Sequence, residues 1–102
     1  MKEYDIFLPL RYNDGKPVEL IKFRNLTDRL LSQFDGLTYF PQANQGIWKL
    51  GDVTYRDEIV IFRILASDSR RARQFLRNLK NQLKDEFAQE EILIVERDVD
   101  TL

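Results

Sequence analysis

The sequence contains no cysteine and no histidine. The first absence excludes disulfides, thiolate nucleophiles, zinc–sulfur centres and iron–sulfur clusters. The second removes the usual general base at neutral pH and the commonest transition-metal ligand. Neither sign of charge is in excess: 16 Lys and Arg stand against 17 Asp and Glu, so no global field draws the chain to nucleic acid or a membrane surface. No apolar run approaches the roughly 18 residues of a membrane span. The opening Met1-Lys2-Glu3-Tyr4-Asp5 carries two acids and lacks the apolar stretch of a signal peptide. A cytoplasmic protein is the expectation.

Glycine is scarce, and Gly15, Gly36, Gly46 and Gly51 are too dispersed for a Walker A or dinucleotide-binding loop. Ser32, Ser67 and Ser69 are the only serines, and none stands in a nucleophile elbow. No catalytic residue, cofactor or metal site is therefore expected. One weak carboxylate alternative exists. Asp57 and Glu58 are adjacent on a strand and point to opposite faces, but Asp5 could neighbour one of them and make a Mg²⁺ site.

What the chain does have is a regular alternation of strand and helix signals over 1–102, read as one domain. Asp5 to Arg11 (DIFLPLR) is a first strand, its Pro9 pointing to a bulge or an early end. After the turn residues Asn13 to Pro17, a helical period sets in at Glu19. Leu20, Phe23, Thr27, Leu30, Leu31 and Phe34 share one side of that helix, and Gly36 suits the left-handed position after it. Leu37 to Phe40 is a short strand that Pro41 limits, 41–46 is a loop or wide bulge, and Ile47 to Leu50 resumes the extended pattern. Gly51-Asp52 is a two-residue hairpin turn. The longest strand follows, from about Val53 to Leu65. Ser67, Asp68 and Ser69 offer caps for a second helix with an apolar seam of Ala72, Phe75, Leu76, Leu79, Leu83 and Phe87. Ile92 to Val95 is the last strand, and the acidic end is expected to fray from about residue 97.

The order β-α-β-β-α-β in so short a chain predicts an α+β fold: a ferredoxin-like two-layer sandwich, strand order 4-1-3-2, with both helices on one sheet face. The alternative is a variant in which 37–40 and 47–50 are separate strands. A two-layer fold leaves one sheet face open, and that face should be polar in a monomer. Here Phe7, Ile59, Ile61, Leu65, Leu93 and Val95 oppose rows that are also apolar, broken only by Arg63. The apolar excess predicts a sheet-face homodimer, with Phe7, Tyr39, Trp48, Tyr55 and Phe62 as interface or pocket residues. Alternatively, the 41–50 segment with Trp48 folds over the face.

The most asymmetric feature is on the second helix. At about 100° per residue, Arg70, Arg73, Arg77, Lys80 and Lys84 form one stripe beside the apolar seam. It could bind an acidic protein partner or, less readily, a nucleic-acid backbone. It could equally be a solvated flank paired with the acids that follow it. Ile6-Phe7-Leu8 resembles the first-strand motif of the RNA-recognition motif, but the third strand opens on Asp57-Glu58 and carries one aromatic, so the stacking platform is missing. Finally, Gly36-Leu37-Thr38, Gly46-Ile47-Trp48 and Tyr55-Arg56-Asp57-Glu58 together resemble a spaced pattern in small uncharacterised bacterial α+β proteins. That resemblance spans about residues 34–65 and implies the same fold.

Three functional expectations follow. The leading one is a non-catalytic binding or assembly protein that self-associates through its sheet face. The second is a small-molecule binder or enzyme of the dimeric α/β-barrel kind, drawing on Tyr39, Trp48, Tyr55, Arg63 or Glu58. The third is nucleic-acid binding through the basic stripe.

Overall fold

A computed structural model describes the whole chain, Met1–Leu102, as β1 (Lys2–Pro9), α1 (Leu20–Gln33), β2 (Leu37–Leu50), β3 (Val53–Ala66), α2 (Arg70–Glu86) and β4 (Ile94–Asp98). All strand pairs are antiparallel and the sheet order is β2-β3-β1-β4, the 4-1-3-2 order read from the other edge. The fold is α+β, two helices on a four-stranded sheet, as the periodicity predicts. β1 begins and ends earlier than the predicted strand, at Lys2 and Pro9, because it pairs with β4 as far as Asp98 and with β3 as far as Ala66.

Both helices lie on the same side of the sheet. Ile6, Leu8, Val60, Phe62 and Ile64 from the strands meet Phe23, Leu26 and Leu30 of α1 and Ala72, Leu76, Leu79 and Leu83 of α2, all buried. Phe23 holds the layers together: its ring is parallel to Phe62 at 6.5 Å and edge-on to Phe87 at 5.6 Å. The α2 seam is the one predicted, with Phe75 half-buried at its margin. The α1 stripe is rotated by a fraction of a turn: Leu26 is in the core, while Leu20 and Leu31 face solvent. α2 starts on a Ser69 cap, whose Oγ accepts from the Ala72 amide at 3.1 Å.

Three local expectations need correction. Of the two alternatives for 41–46 the structure has the bulge and not the loop, and Pro41 does not end the strand. β2 is one strand of 14 residues in which Pro41, Gln42 and Ala43 stand opposite the single Val60. A bulge of this kind accommodates Pro41, whose missing N–H leaves no ladder bond unmade. Gly36 is not left-handed, because Phe34 leaves α1 in an extended conformation. The left-handed position lies after α2 instead, at Ala88 (φ 52°), with Gln89 N–H donating to Lys84 O at 2.9 Å and Ala88 N–H to Asp85 O at 3.2 Å. Nor does the acidic end fray from residue 97. Arg97 pairs with Glu3 and Asp98 with Lys2 in the ladder, and the Val99 amide donates to Met1 O at 3.0 Å.

Candidate functional site

β2 and β3 are much longer than β1, and the register shows the result. β1 pairs only with residues 59–66 of β3, so 44–58 continue past the sheet as a two-stranded arm closed by Gly51 (φ 62°) and Asp52. Trp48 stands opposite Tyr55 and Gly46 opposite Asp57. These four share a side with Ile59 and therefore with the open sheet face, since side chains alternate along a strand. The arm and the open face together bound a cleft of about 590 Å³. One wall is Trp48, Leu50, Tyr55 and Asp57 of the arm. The floor is Phe7, Pro9 and Ile59. The far wall is the chain between α2 and β4, Gln89 to Leu93. The left-handed Ala88 turns the chain into that wall.

Within the arm the contacts are specific. The Trp48 indole lies over Gly46, where an added Cβ would stand 2.8 Å from the ring. Its Nε1 donates to Asp57 Oδ2 at 3.2 Å. Glu91, across the cleft, pairs with Lys80 at 2.9 Å and accepts the Ile92 amide; the lysine holds its carboxyl below the usual carboxylate range. Asp57 and Glu90 are in no ion pair, and Lys49 is the one cation on the lining.

Among its apolar residues the open face also holds a polar cluster that the strand pattern does not show. Asp5 is 1% exposed and points away from the helices. Arg63 donates to it from Nε and NH2 at 2.7 and 3.0 Å, and Arg97 from NH1 at 3.0 Å. Those hydrogen bonds, the Arg63 pair foremost, hold its carboxyl below the usual range against the opposing effect of burial. Glu3 takes a further 3.3 Å contact from Arg97, and the Arg63 guanidinium lies over the Phe40 ring at 5.1 Å. Asp5 is thus a partner of arginines, not of Asp57 or Glu58, and Glu58 reaches Arg11 at 3.8 Å. Nothing pairs carboxylates for Mg²⁺ there.

Of the five predicted face residues, the structure brings together Phe7, Trp48 and Tyr55 in the cleft. Phe62 and Tyr39 are not with them. Phe62 is fully buried under the helices, and Tyr39 stacks on it at 4.4 Å. β3 is apolar on both sides, so alternation could not say which row the helices cover; pairing of Phe62 with Ile6 decides it. The missed cleft residues Asn13 and Gln89 to Glu91 come from segments that bear no pattern of their own, while Ile92 and Leu93 fall in the predicted last strand, which begins only at Ile94. The Asp5–Arg63 pair did leave a signal, a lone cation in an apolar row.

The basic stripe lies along the β4 edge. Arg73 pairs with Glu96 at 3.1 Å and Asp68 at 3.7 Å, and Lys80 with Glu91. Arg70, Arg77 and Lys84 are in no ion pair. Glu96 also accepts from the Tyr4 hydroxyl at 2.9 Å, so Arg73 ties α2 to β4 and Lys80 ties it to the segment before β4.

No protein-family model and no curated protein sequence matches the chain. Among solved structures it is similar to a phage SAM lyase in complex with S-methyl-5′-thioadenosine, with a TM-score of 0.68, 14% identity, and coverage of 95% of this chain and 80% of that one. The apo state of a phage SAM lyase superimposes equally well, with a TM-score of 0.68 at 15% identity over 94% of this chain and 78% of that one. At such identities the likeness is one of fold.

Proposed function

We propose that the protein binds a small planar ligand in the cleft between the β2–β3 arm and the open sheet face, an adenosyl compound of the S-adenosylmethionine class being the candidate. The observation that carries this reading is the cleft's composition. Trp48 and Tyr55 present aromatic faces beside an apolar floor, and a few polar groups, Asp57, Asn13 and Glu90, stand at its margin. Pockets for small molecules are typically of this make-up and volume. The fold shared with the SAM lyases supports the choice of ligand class, and the residues supply the stacking surfaces that an adenine needs.

Trp48 is the only tryptophan, so its emission reports on the cleft alone. Titration with S-adenosylmethionine or S-methyl-5′-thioadenosine is expected to change that emission saturably and to raise the melting temperature. Trp48→Ala is expected to abolish binding while the protein stays folded by circular dichroism. Absence of any saturable response at millimolar ligand ends this reading.

A second reading, self-association, has its own observation. The arm extends past the sheet as a bare hairpin, which is at best marginally stable in water. Its tip nevertheless shows apolar side chains to solvent, Leu50 at 74% and Val53 and Ile47 at 53%. A homodimer that covers the arm would remove that exposure. Light scattering on the eluting protein at tens of micromolar tests it, with a clean monomer as the refuting result.

A further inference from the structure

Asp57 is the one arm carboxylate aimed along the cleft wall, and its surroundings set it apart from the other acids of this face. Asp5 is bound by two arginines and Glu91 by a lysine. Asp57 has a single partner, the Trp48 indole N–H, which takes up Oδ2 and leaves Oδ1 without a donor. The position is built. Gly46, opposite Asp57 across the strand pair, lets the indole lie over the backbone with Nε1 at 3.2 Å from the carboxylate. Around it stand the Trp48 and Tyr55 rings, whose faces also attract cations. Glu90 on the facing wall adds to the same field, and Lys49 is the one cation on the lining.

We infer that Asp57 is the charge-reading residue of the cleft and that the site selects cationic ligands over their neutral counterparts. The inference rests on the reading of the cleft as a ligand site. A sulfonium group beside the stacked adenine gains a carboxylate whose charge no side chain neutralises. A neutral ligand gains only the stacking. Asp57 is solvent-exposed, so the preference is greatest at low salt.

The test compares two ligands and one substitution. S-adenosylmethionine and S-adenosylhomocysteine differ by a methyl group and the sulfonium charge. Calorimetric titration of the wild-type protein is expected to show the cation binding at least tenfold tighter at low salt. Asp57→Asn keeps an acceptor for the indole and removes the charge. It is expected to erase most of that preference, chiefly by weakening the cation, while the unliganded Trp48 emission stays as in wild type. The inference is overturned if wild type binds both ligands alike, or if Asp57→Asn weakens both equally. An equal loss would make the residue only a support for Trp48. If wild type binds neither compound, the cleft reading fails as well, which separates the two failures.

Discussion

Asp5 and Arg63, opposite each other on β1 and β3, form a two-bonded ion pair in the middle of the sheet face that no helix covers. Arg97 reaches the same carboxylate from β4, so one aspartate joins three adjacent strands. Removing it leaves the two guanidiniums only Glu3, at 3.3 Å from Arg97 and 3.6 Å from Arg63. Asp5→Ala is expected to cost about 2 kcal/mol, less than a fully buried pair because Arg63 is partly solvated. Urea denaturation of both proteins measures it.

The same pair gives a pH dependence. The folded-state pKa of Asp5 is depressed relative to the unfolded chain, so its contribution is complete above the unfolded value of roughly 4 and is lost as pH falls through the folded value. Between neutral pH and about pH 2 the stability of wild type should fall more steeply than that of Asp5→Asn. Parallel melting curves across that range would contradict the assignment.

Ala88 holds the left-handed position that ends α2, where a Cβ costs about 1 kcal/mol. Ala88→Gly is expected to raise stability by about 0.5–1 kcal/mol, read as a small increase in melting temperature. At most exposed positions the same change would destabilise, so the sign is the diagnostic.

Gly46→Ala probes the arm. The new Cβ would lie 2.8 Å from the Trp48 ring, and the indole must tilt away from Asp57 to admit it. The expected result is a shift of the tryptophan emission with a fold unchanged by circular dichroism, and weaker ligand binding. An unaltered spectrum would mean the indole does not rest there in solution.

Phe62→Ala tests the corrected placement of that residue. A ring stacked between Phe23 and Tyr39 and fully buried should cost about 3–5 kcal/mol when truncated. An interface residue on an open face would cost far less in the monomer.

Element order was legible because the apolar period changes cleanly between 2 and 3.6 along the chain, most clearly from Phe62 to Leu83. The cleft was legible only in part. Phe7, Trp48 and Tyr55 stood out as aromatics without a helix to cover them. The facing wall at Gln89 to Leu93 is an irregular segment, and its approach to the arm depends on sheet twist and on the Ala88 turn. Pro41 read as a terminator, since one sequence cannot show that its partner strand runs on and absorbs a bulge. The acids after residue 95 read as a solvated tail for a related reason. Their partners, Lys2, Tyr4 and Arg73, are distant in sequence, and charge complementarity at that range has no local signature.

The position of β1 has a kinetic consequence. It is an interior strand, yet Pro9 finds Ile59 and Lys2 finds Asp98, so every bond it makes closes a long loop. Its β3 partner lies beyond α1 and β2, and its β4 partner beyond α2. Until they pair, Ile6 and Leu8 stay unburied, and the β2–β3 hairpin with its neighbouring helices is the part able to form early. Folding should therefore be limited by capture of β1, slow for a chain of this length, and sensitive to substitutions at the β1–β3 seam.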